Sequence, residues 1–199
     1  NPGSKSGGCI HLMGLTSDGG VHSSDIHYFA LIDWLKASGF PGDRVFFHVI
    51  TDGRDTNPRG GLDFVQALQD KLDAADVGRI ASVCGRYYAM DRDKRWDRSE
   101  RAWNLYTLGE GEAVPDAVAA IRDSYEAGVT DEFITPKLVT THAEPLGMMR
   151  DGDVVIWFNF RADRARQFCW ALTKDNFDGF QRKKRPAAKL FTMTPYAAD

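Results

Sequence analysis

Six basic side chains, Arg86, Arg92, Lys94, Arg95, Arg98 and Arg101, fall within the seventeen residues from Gly85 to Arg101. More arginines stand in two other short words, Thr51-Asp-Gly-Arg-Asp and Phe158-Asn-Phe-Arg-Ala-Asp-Arg-Ala-Arg. Each word follows an apolar, strand-like run. A guanidinium fork matches the oxygens of phosphate and carboxylate in a planar, two-bond geometry that lysine cannot copy. The chemistry implied is the gripping of a small anion.

Particular residues can be singled out within these words. In Leu15-Thr-Ser-Asp-Gly-Gly-Val-His-Ser-Ser, the paired glycines allow a tight turn. His22 then stands near a helix entrance capped by Ser23 or Ser24. An anion or hydroxyl contact by His22 and a capping histidine without a ligand fit this word equally well. Arg54 and Asp55 are adjacent, so both reach one pocket only from an irregular turn. There the arginine holds an anion while the aspartate handles a hydroxyl proton; an internal Arg54–Asp55 ion pair is the competing reading. Arg92 and Arg98, six apart, would not share one regular helix face, but they can converge if 91–95 is a loop and the chain is helical from Trp96. Arg95 and Arg101 are expected at the surface or in ion pairs, and Trp96 and Trp103 in the core. Arg161 and Arg164, three apart, are expected in a helix's first turn, on one face. Cations there oppose the helix dipole by roughly 0.3–1 kcal/mol each, which suggests an anion held jointly with backbone N–H groups. The alternative is that Asp163 neutralises both.

The five histidines are scattered, so no metal site of the chain's own is expected. No Gly-x-x-x-x-Gly-Lys-Ser/Thr loop and no Gly-x-Ser-x-Gly elbow occurs. With 25 basic against 28 acidic residues the formal charge is −3, which argues against a polyanion binder that needs a net basic face. Cys9, Cys84 and Cys169 are odd in number and widely spaced, so buried, reduced thiols are expected. No apolar run approaches the ~20 residues of a spanning helix, and the polar start has no signal-peptide pattern. The expectation is a soluble protein from a reducing compartment.

The elements that must position these residues alternate. Strands are expected at Cys9–Leu15, Val45–Ile50, Ile80–Cys84, Thr135–Val139, Val154–Phe158 and Lys189–Thr194. Helical spacing marks Ser24–Ala37, Gly61–Leu72, Trp96–Leu108, Pro115–Ala127 and Ala162–Leu172. Pro115 suits a first helical turn and Gly128 a C-terminal cap. Continuously apolar strands alternating with helices predict an α/β fold: a mainly parallel sheet with helices on both faces, in a single three-layer domain. In such sheets ligands bind beyond the carboxyl ends of the strands, and all three arginine words lie there.

These words, in this order, closely resemble cofactor-independent phosphoglycerate mutase. The matching stretches are Ser17-Asp-Gly-Gly-Val-His-Ser, Asp52-Gly-Arg-Asp-Thr, Gly85-Arg-Tyr-Tyr-Ala-Met-Asp-Arg-Asp-Lys-Arg-Trp-Asp-Arg, Thr130-Asp-Glu-Phe-Ile-x-Pro and Asp151-Gly-Asp-x-Val-Ile-x-Phe-Asn-Phe-Arg-x-Asp-Arg. The resemblance implies an isomerase of glycolysis and gluconeogenesis that interconverts 3-phosphoglycerate and 2-phosphoglycerate through a phosphoserine intermediate. Two divalent metal ions, usually manganese, and the serine belong to a phosphatase-like domain whose motifs are absent here. This chain resembles the inserted phosphotransferase (substrate-binding) domain, 9–194, between linkers 1–8 and 195–199. By motif position, the resemblance implies that His22, Arg54, Asp55, Arg92, Arg98, Arg161 and Arg164 bind substrate, with Asp55 as the catalytic proton-handling group. No cofactor is expected on this chain. Its expected partners are the phosphoglycerates and the missing domain, with no nucleic acid or membrane, in a monomer. The cytoplasm is the expected location, with a glycosome-like organelle as the alternative. Alone, the chain is expected to be inactive. The competing function is a stand-alone phospho-sugar or organic-acid binding module; a nucleic-acid or scaffold protein ranks last.

Overall fold

A computed structural model describes residues 7–196. Its sheet follows the path β4-β5-β3-β2-β1-β7-β8, with the short β6 paired to β5. The strands are β1 (Ile10–Leu15), β2 (Val45–Thr51), β3 (Arg79–Gly85), β4 (Glu112–Val114), β5 (Lys137–Thr141), β6 (Glu144–Pro145), β7 (Val154–Trp157) and β8 (Lys189–Thr192). The helices are α1 (Asp25–Ala37), α2 (Gly61–Ala75), α3 (Arg86–Ala89), α4 (Trp96–Leu108), α5 (Ala117–Glu126) and α6 (Arg166–Thr173). β1 pairs parallel with both β2 and β7, and β2–β3 and β7–β8 are parallel too. The exceptions are β5 against β3 and β6 against β5, which are antiparallel.

Side chains alternate across the sheet and build two cores. Ile10, Leu12, Val45, Phe47 and Val49 face one side, where Tyr28, Ile32 and Leu35 of α1, Val65, Leu68 and Leu72 of α2, and Ile121 of α5 cover them. Met13, Leu15, Ile50, Cys84 and Trp157 face the other, under Trp103, Leu105 and Tyr106 of α4 and Phe168 and Leu172 of α6. The layers are therefore helices, sheet, helices, as expected from strands apolar on both faces.

One polar row crosses this interior. His11 Nδ1 lies 2.9 Å from His48 Nε2, His48 Nδ1 2.8 Å from Ser82 Oγ, and His11 Nε2 3.0 Å from Asp153 Oδ2. These four residues are all buried. Two strand histidines that looked unrelated in the sequence thus satisfy each other, which burial demands of polar groups. Burial, with His11 alongside, pushes the proton affinity of His48 well below its ordinary value.

The element boundaries differ from expectation where local hydrogen bonds outrank periodicity. α5 begins after Asp116, whose carboxylate accepts from the Ala119 N–H at 2.7 Å. Pro115 therefore precedes the cap instead of opening the helix. α6 begins at Arg166, four residues later than the apolar pattern suggested. Arg161 and Arg164 consequently sit in the turn ahead of α6 and not in its first turn. The linker ranges 1–8 and 195–199 fall mostly outside the described residues. Tyr196, inside the second range, is buried and donates from its hydroxyl to the Asn159 carbonyl.

Candidate active site

The carboxyl ends of β1, β2, β3 and β7 emerge along one edge of the sheet. The chain changes direction across the sheet at β1, with β2 and β3 on one side and β7 and β8 on the other. A crevice at such a switch point is where open α/β sheets bind ligands.

Asp52 is the floor of the site. It is 1% exposed. Its Oδ1 accepts from the N–H groups of Arg54 and Asp55, both at 3.1 Å, and its Oδ2 from Ser17 Oγ at 2.8 Å. These bonds fold 52–55 into a turn that Gly53 alone can make: its φ is +71°, and a Cβ there would stand 2.9 Å from Asp131 Cβ and Glu132 N. Burial works to raise the Asp52 pKa, but the Asp55 N–H, Arg86, Ser17 and the Arg54 N–H outweigh it and hold the carboxyl below its ordinary range.

Arg86 is the first residue of α3 and is 3% exposed. Its Nη1 bridges Asp52 Oδ1 at 2.6 Å and Asp55 Oδ2 at 2.7 Å. The Arg54–Asp55 ion pair considered above is not formed. Arg54 reaches Glu132 at 3.3 Å and remains half exposed.

His22 is buried above this floor, held by the bond from Phe160 N to its carbonyl. Ser23 Oγ donates to the Leu15 carbonyl, so the turn is tied to β1; neither Ser23 nor Ser24 caps α1 with its side chain. The imidazole lies 3.9 Å from Asp55 Oδ2 and 3.6 Å from Asp163 Oδ1, both too long for hydrogen bonds, and its Nδ1 has no partner. Burial first, then Arg86, lowers its pKa to about 4 against the pull of Asp163 and Asp55. The ring is therefore neutral near pH 7, with donor and acceptor capacity uncommitted.

From β7's end, Asp163 Oδ2 takes a 2.9 Å bond from Arg92 and Oδ1 lies 3.0 Å from Arg161 Nε. Asp163 thus neutralises Arg161 and Arg92, while Arg164 instead donates to the Met90 carbonyl at 3.1 Å. Burial, followed by the positive charges of Arg86, Arg92 and Arg54, lowers the Arg164 pKa. Guanidiniums from three strand ends are thus close enough to repel one another. Arg98 has other partners than this group. Its guanidinium lies 3.7 Å over the Tyr87 ring and 3.8 Å from Asp91.

The 91–95 segment is a loop, as expected, pinned by Asp91 Oδ2, which accepts from Asp93 N, Arg95 N and Gln167 Nε2. Lys94 there adopts φ +58°. Asn159, fully buried, accepts from Leu15 N at 2.9 Å and so ties the ends of β1 and β7 together. Asp52, Arg86 and Asn159 were not singled out as site residues by sequence reasoning, and Asp163 only as the alternative neutraliser of Arg161 and Arg164. Each lies inside a word that was, and the signal available was the acid interleaved with arginine. Among the described residues, no three His, Cys, Asp or Glu side chains gather so as to hold a metal ion.

Clustered arginines, a neutral histidine and an aspartate beyond the strand ends of an α/β sheet are a set of groups suited to a small, multiply charged anion. The model of the BPG-independent PGAM N-terminus matches residues 3–198, and the chain belongs to that family. It is 48% identical over 192 residues to 2,3-bisphosphoglycerate-independent phosphoglycerate mutase of Salinibacter ruber, covering 94% of this chain and 37% of that protein. The enzyme of the same description from Escherichia coli is 43% identical over 194 residues, 97% of this chain and 37% of the relative. The crystal structure of Leishmania mexicana phosphoglycerate mutase at low cobalt concentration superposes with TM-score 0.92 at 34% identity, covering 97% of this chain and 36% of that one. The chain therefore spans little more than a third of the length of the relatives it matches.

Proposed function

We propose that this chain is the substrate-holding part of a phosphoglycerate mutase that interconverts 3-phosphoglycerate and 2-phosphoglycerate through a phosphoserine intermediate. The observation that carries this reading is the gathering of Arg86 on Asp55 and of Arg92 and Arg161 on Asp163, which lies 3.6 Å from the neutral His22, with Arg54 and Arg164 near enough for their charges to be felt. A phosphoglycerate carries a phosphate and a carboxylate. The half-exposed forks of Arg92 and Arg161 suit one such group, and Arg54 and Arg164 the opposing end. His22, uncharged, donates a hydrogen bond to an oxygen of the bound glycerate or phosphoryl group. The oxygen that gives up the phosphoryl group takes a proton to become a hydroxyl, and Asp55 takes the proton of the other hydroxyl as it attacks the phosphoryl group. Arg98 is the weakest member of the set, since it must leave Tyr87 to reach the anion.

The phosphoserine and the charge stabilisation supplied by two divalent ions, manganese in the usual case, are assigned to the phosphatase-like portion outside this chain. A monomer in the cytoplasm completes the reading. The test is an assay with 3-phosphoglycerate and manganese: the intact protein turns over, the purified chain does not, and Arg161→Ala in the intact protein loses most of kcat/KM. Turnover by the purified chain above a mock preparation overturns the division of labour. An intact protein without turnover overturns the mutase reading.

A further inference from the structure

The two rim arginines come from separate stretches of chain. Arg92 lies in the 91–95 loop beyond β3, and Arg161 in the turn between β7 and α6. Both side chains are nearly half exposed, so their placement depends on the backbone that carries them and on what holds that backbone from behind. There, Gln167 in the first turn of α6 donates from Nε2 to Asp91 Oδ2 at 3.0 Å, and its Oε1 accepts from Ser99 Oγ of α4 at 3.3 Å. Gln167, Asp91 and Ser99 are all buried. The same Asp91 oxygen takes the N–H groups of Asp93 and Arg95, both at 2.9 Å, and so closes the loop. One residue earlier, the Met90 carbonyl accepts from Arg164 at 3.1 Å, a second tie between the same two segments. A carboxylate can only accept, so the Gln167 amide has one orientation that serves both of its neighbours.

We infer that Gln167 is a positioning residue, which through Asp91 clasps the 91–95 loop to α6 and so sets the separation of Arg92 from Arg161 for a shared anion. The inference rests on the mutase reading for the identity of that anion, and on geometry alone for the clasp. Asp163 displays the spacing: Arg92 donates to its Oδ2 at 2.9 Å while Arg161 Nε lies 3.0 Å from its Oδ1. The two forks therefore stand one carboxylate's width apart. Buried polar groups that fully satisfy one another make a rigid link, and a neutral amide supplies that link without setting a second charge beside Asp91.

The test is Gln167→Met in the intact protein, which keeps the length of the side chain and removes its donor. Misplacing Arg92 weakens a charge-assisted contact to the substrate, so KM for 3-phosphoglycerate is expected to rise about tenfold with kcat within about threefold, the pattern of lost uniform binding. On an Arg92→Ala background the same change is expected to add nothing, because the clasp acts through Arg92; on an Arg54→Ala background it is expected to act in full. A merely structural glutamine would act alike on both. Unchanged KM, a fall confined to kcat, or equal effects on the two backgrounds overturns the inference. Crystallography of the Gln167→Met protein reads the clasp without turnover. Arg92 drawn away from Asp163 while Arg161 stays supports it, and Arg92 in place overturns it even if the mutase reading stands. Where the methionine variant does not fold, Ser99→Ala, which frees only the amide oxygen, is expected to raise KM in the same sense. If neither folds, Gln167 is a folding residue and the inference fails.

Discussion

Asp131 offers the sharpest test of how the site's walls are held. It is fully buried at the start of a 3₁₀ turn, Asp131–Phe133, against the N-terminus of α2. Its Oδ2 accepts from Gly61 N at 2.8 Å, its Oδ1 from the Tyr125 hydroxyl, and its carbonyl from Thr51 Oγ1 at 2.7 Å. The fit needs glycine at 61, where a Cβ would stand 2.6 Å from Asp131 Oδ1. Asp131→Ala orphans a buried N–H, at about 1–3 kcal/mol, and a half-buried hydroxyl, at about 1 kcal/mol. It also removes a helix-terminal anion worth about 0.3–1 kcal/mol. Against this, burial raises the Asp131 pKa although Tyr125 and Gly61 pull it down, so the ionised form is not fully compensated and some stability returns when it goes. The net expectation is a loss of about 2–4 kcal/mol, which for a domain of this size lowers Tm by about 4–16 °C. Asp131→Asn keeps an acceptor for Gly61 and an amide for the tyrosine oxygen, and is expected within about 1 kcal/mol of wild type. Because the folded pKa is raised, wild type gains on the Asn variant as pH falls into the carboxylate range. Calorimetric or denaturant unfolding of both variants decides. An Asn variant as unstable as the Ala variant would show that charge, not hydrogen bonding, holds this wall, and would refute the reasoning.

Three further outcomes are expected. First, stability should decline as pH falls between about 6.5 and about 4: the unfolded chain takes up a proton at His22 that the folded chain refuses until about 4. His48 acts in the same direction, and His22→Gln should flatten part of the slope in denaturant melts; an unchanged slope sinks the assignment. Second, 3-phosphoglycerate at ~100 times its Kd should raise Tm by about 5–11 °C, from about 2.7 kcal/mol of linkage. Arg92→Ala with Arg161→Ala should abolish that rise, and a retained shift would place the anion elsewhere. Third, His11→Phe should cost about 1–3 kcal/mol by leaving His48 and Asp153 without their shared partner; a neutral effect in unfolding experiments would show the polar row to be dispensable.

The layered architecture was legible because it rests on apolar continuity. Residues such as Val45–Ile50 bury both faces, and only a covered parallel sheet accommodates that. Boundaries were legible only where apolar spacing ran unopposed. Asp116 moved the start of α5 because a carboxylate on the Ala119 N–H outweighs the preference of proline for a first turn. β4 and β6 are too short, at three and two residues, to show any period. The His11–His48 pairing depends on strand order, which the local pattern does not carry.

The site was legible by word and not by role. Sequence logic treated Arg54, Arg92, Arg98, Arg161 and Arg164 as ligands, Asp55 as a proton handler and Asp163 as the alternative neutraliser, one word at a time. In the folded chain the roles divide by depth. Arg86, deepest, pairs with Asp52 and Asp55 and is 3% exposed. Arg164, higher up, uses the Met90 carbonyl. Arg92 and Arg161 share Asp163 at the rim with nearly half their side-chain surface exposed. A bound anion would therefore meet the rim arginines first, and those are already satisfied by one carboxylate. Binding there exchanges Asp163 for the ligand, so the affinity is the difference between two charge-assisted pairs and not the sum of all arginines present. The same interleaving of acid and base that keeps the formal charge at −3 is what makes the cluster stable in the absence of ligand. Without Asp52, Asp55 and Asp163, the repulsion among the five guanidiniums of Arg54, Arg86, Arg92, Arg161 and Arg164 would go uncompensated, so the acids are as much a part of the cluster as the arginines.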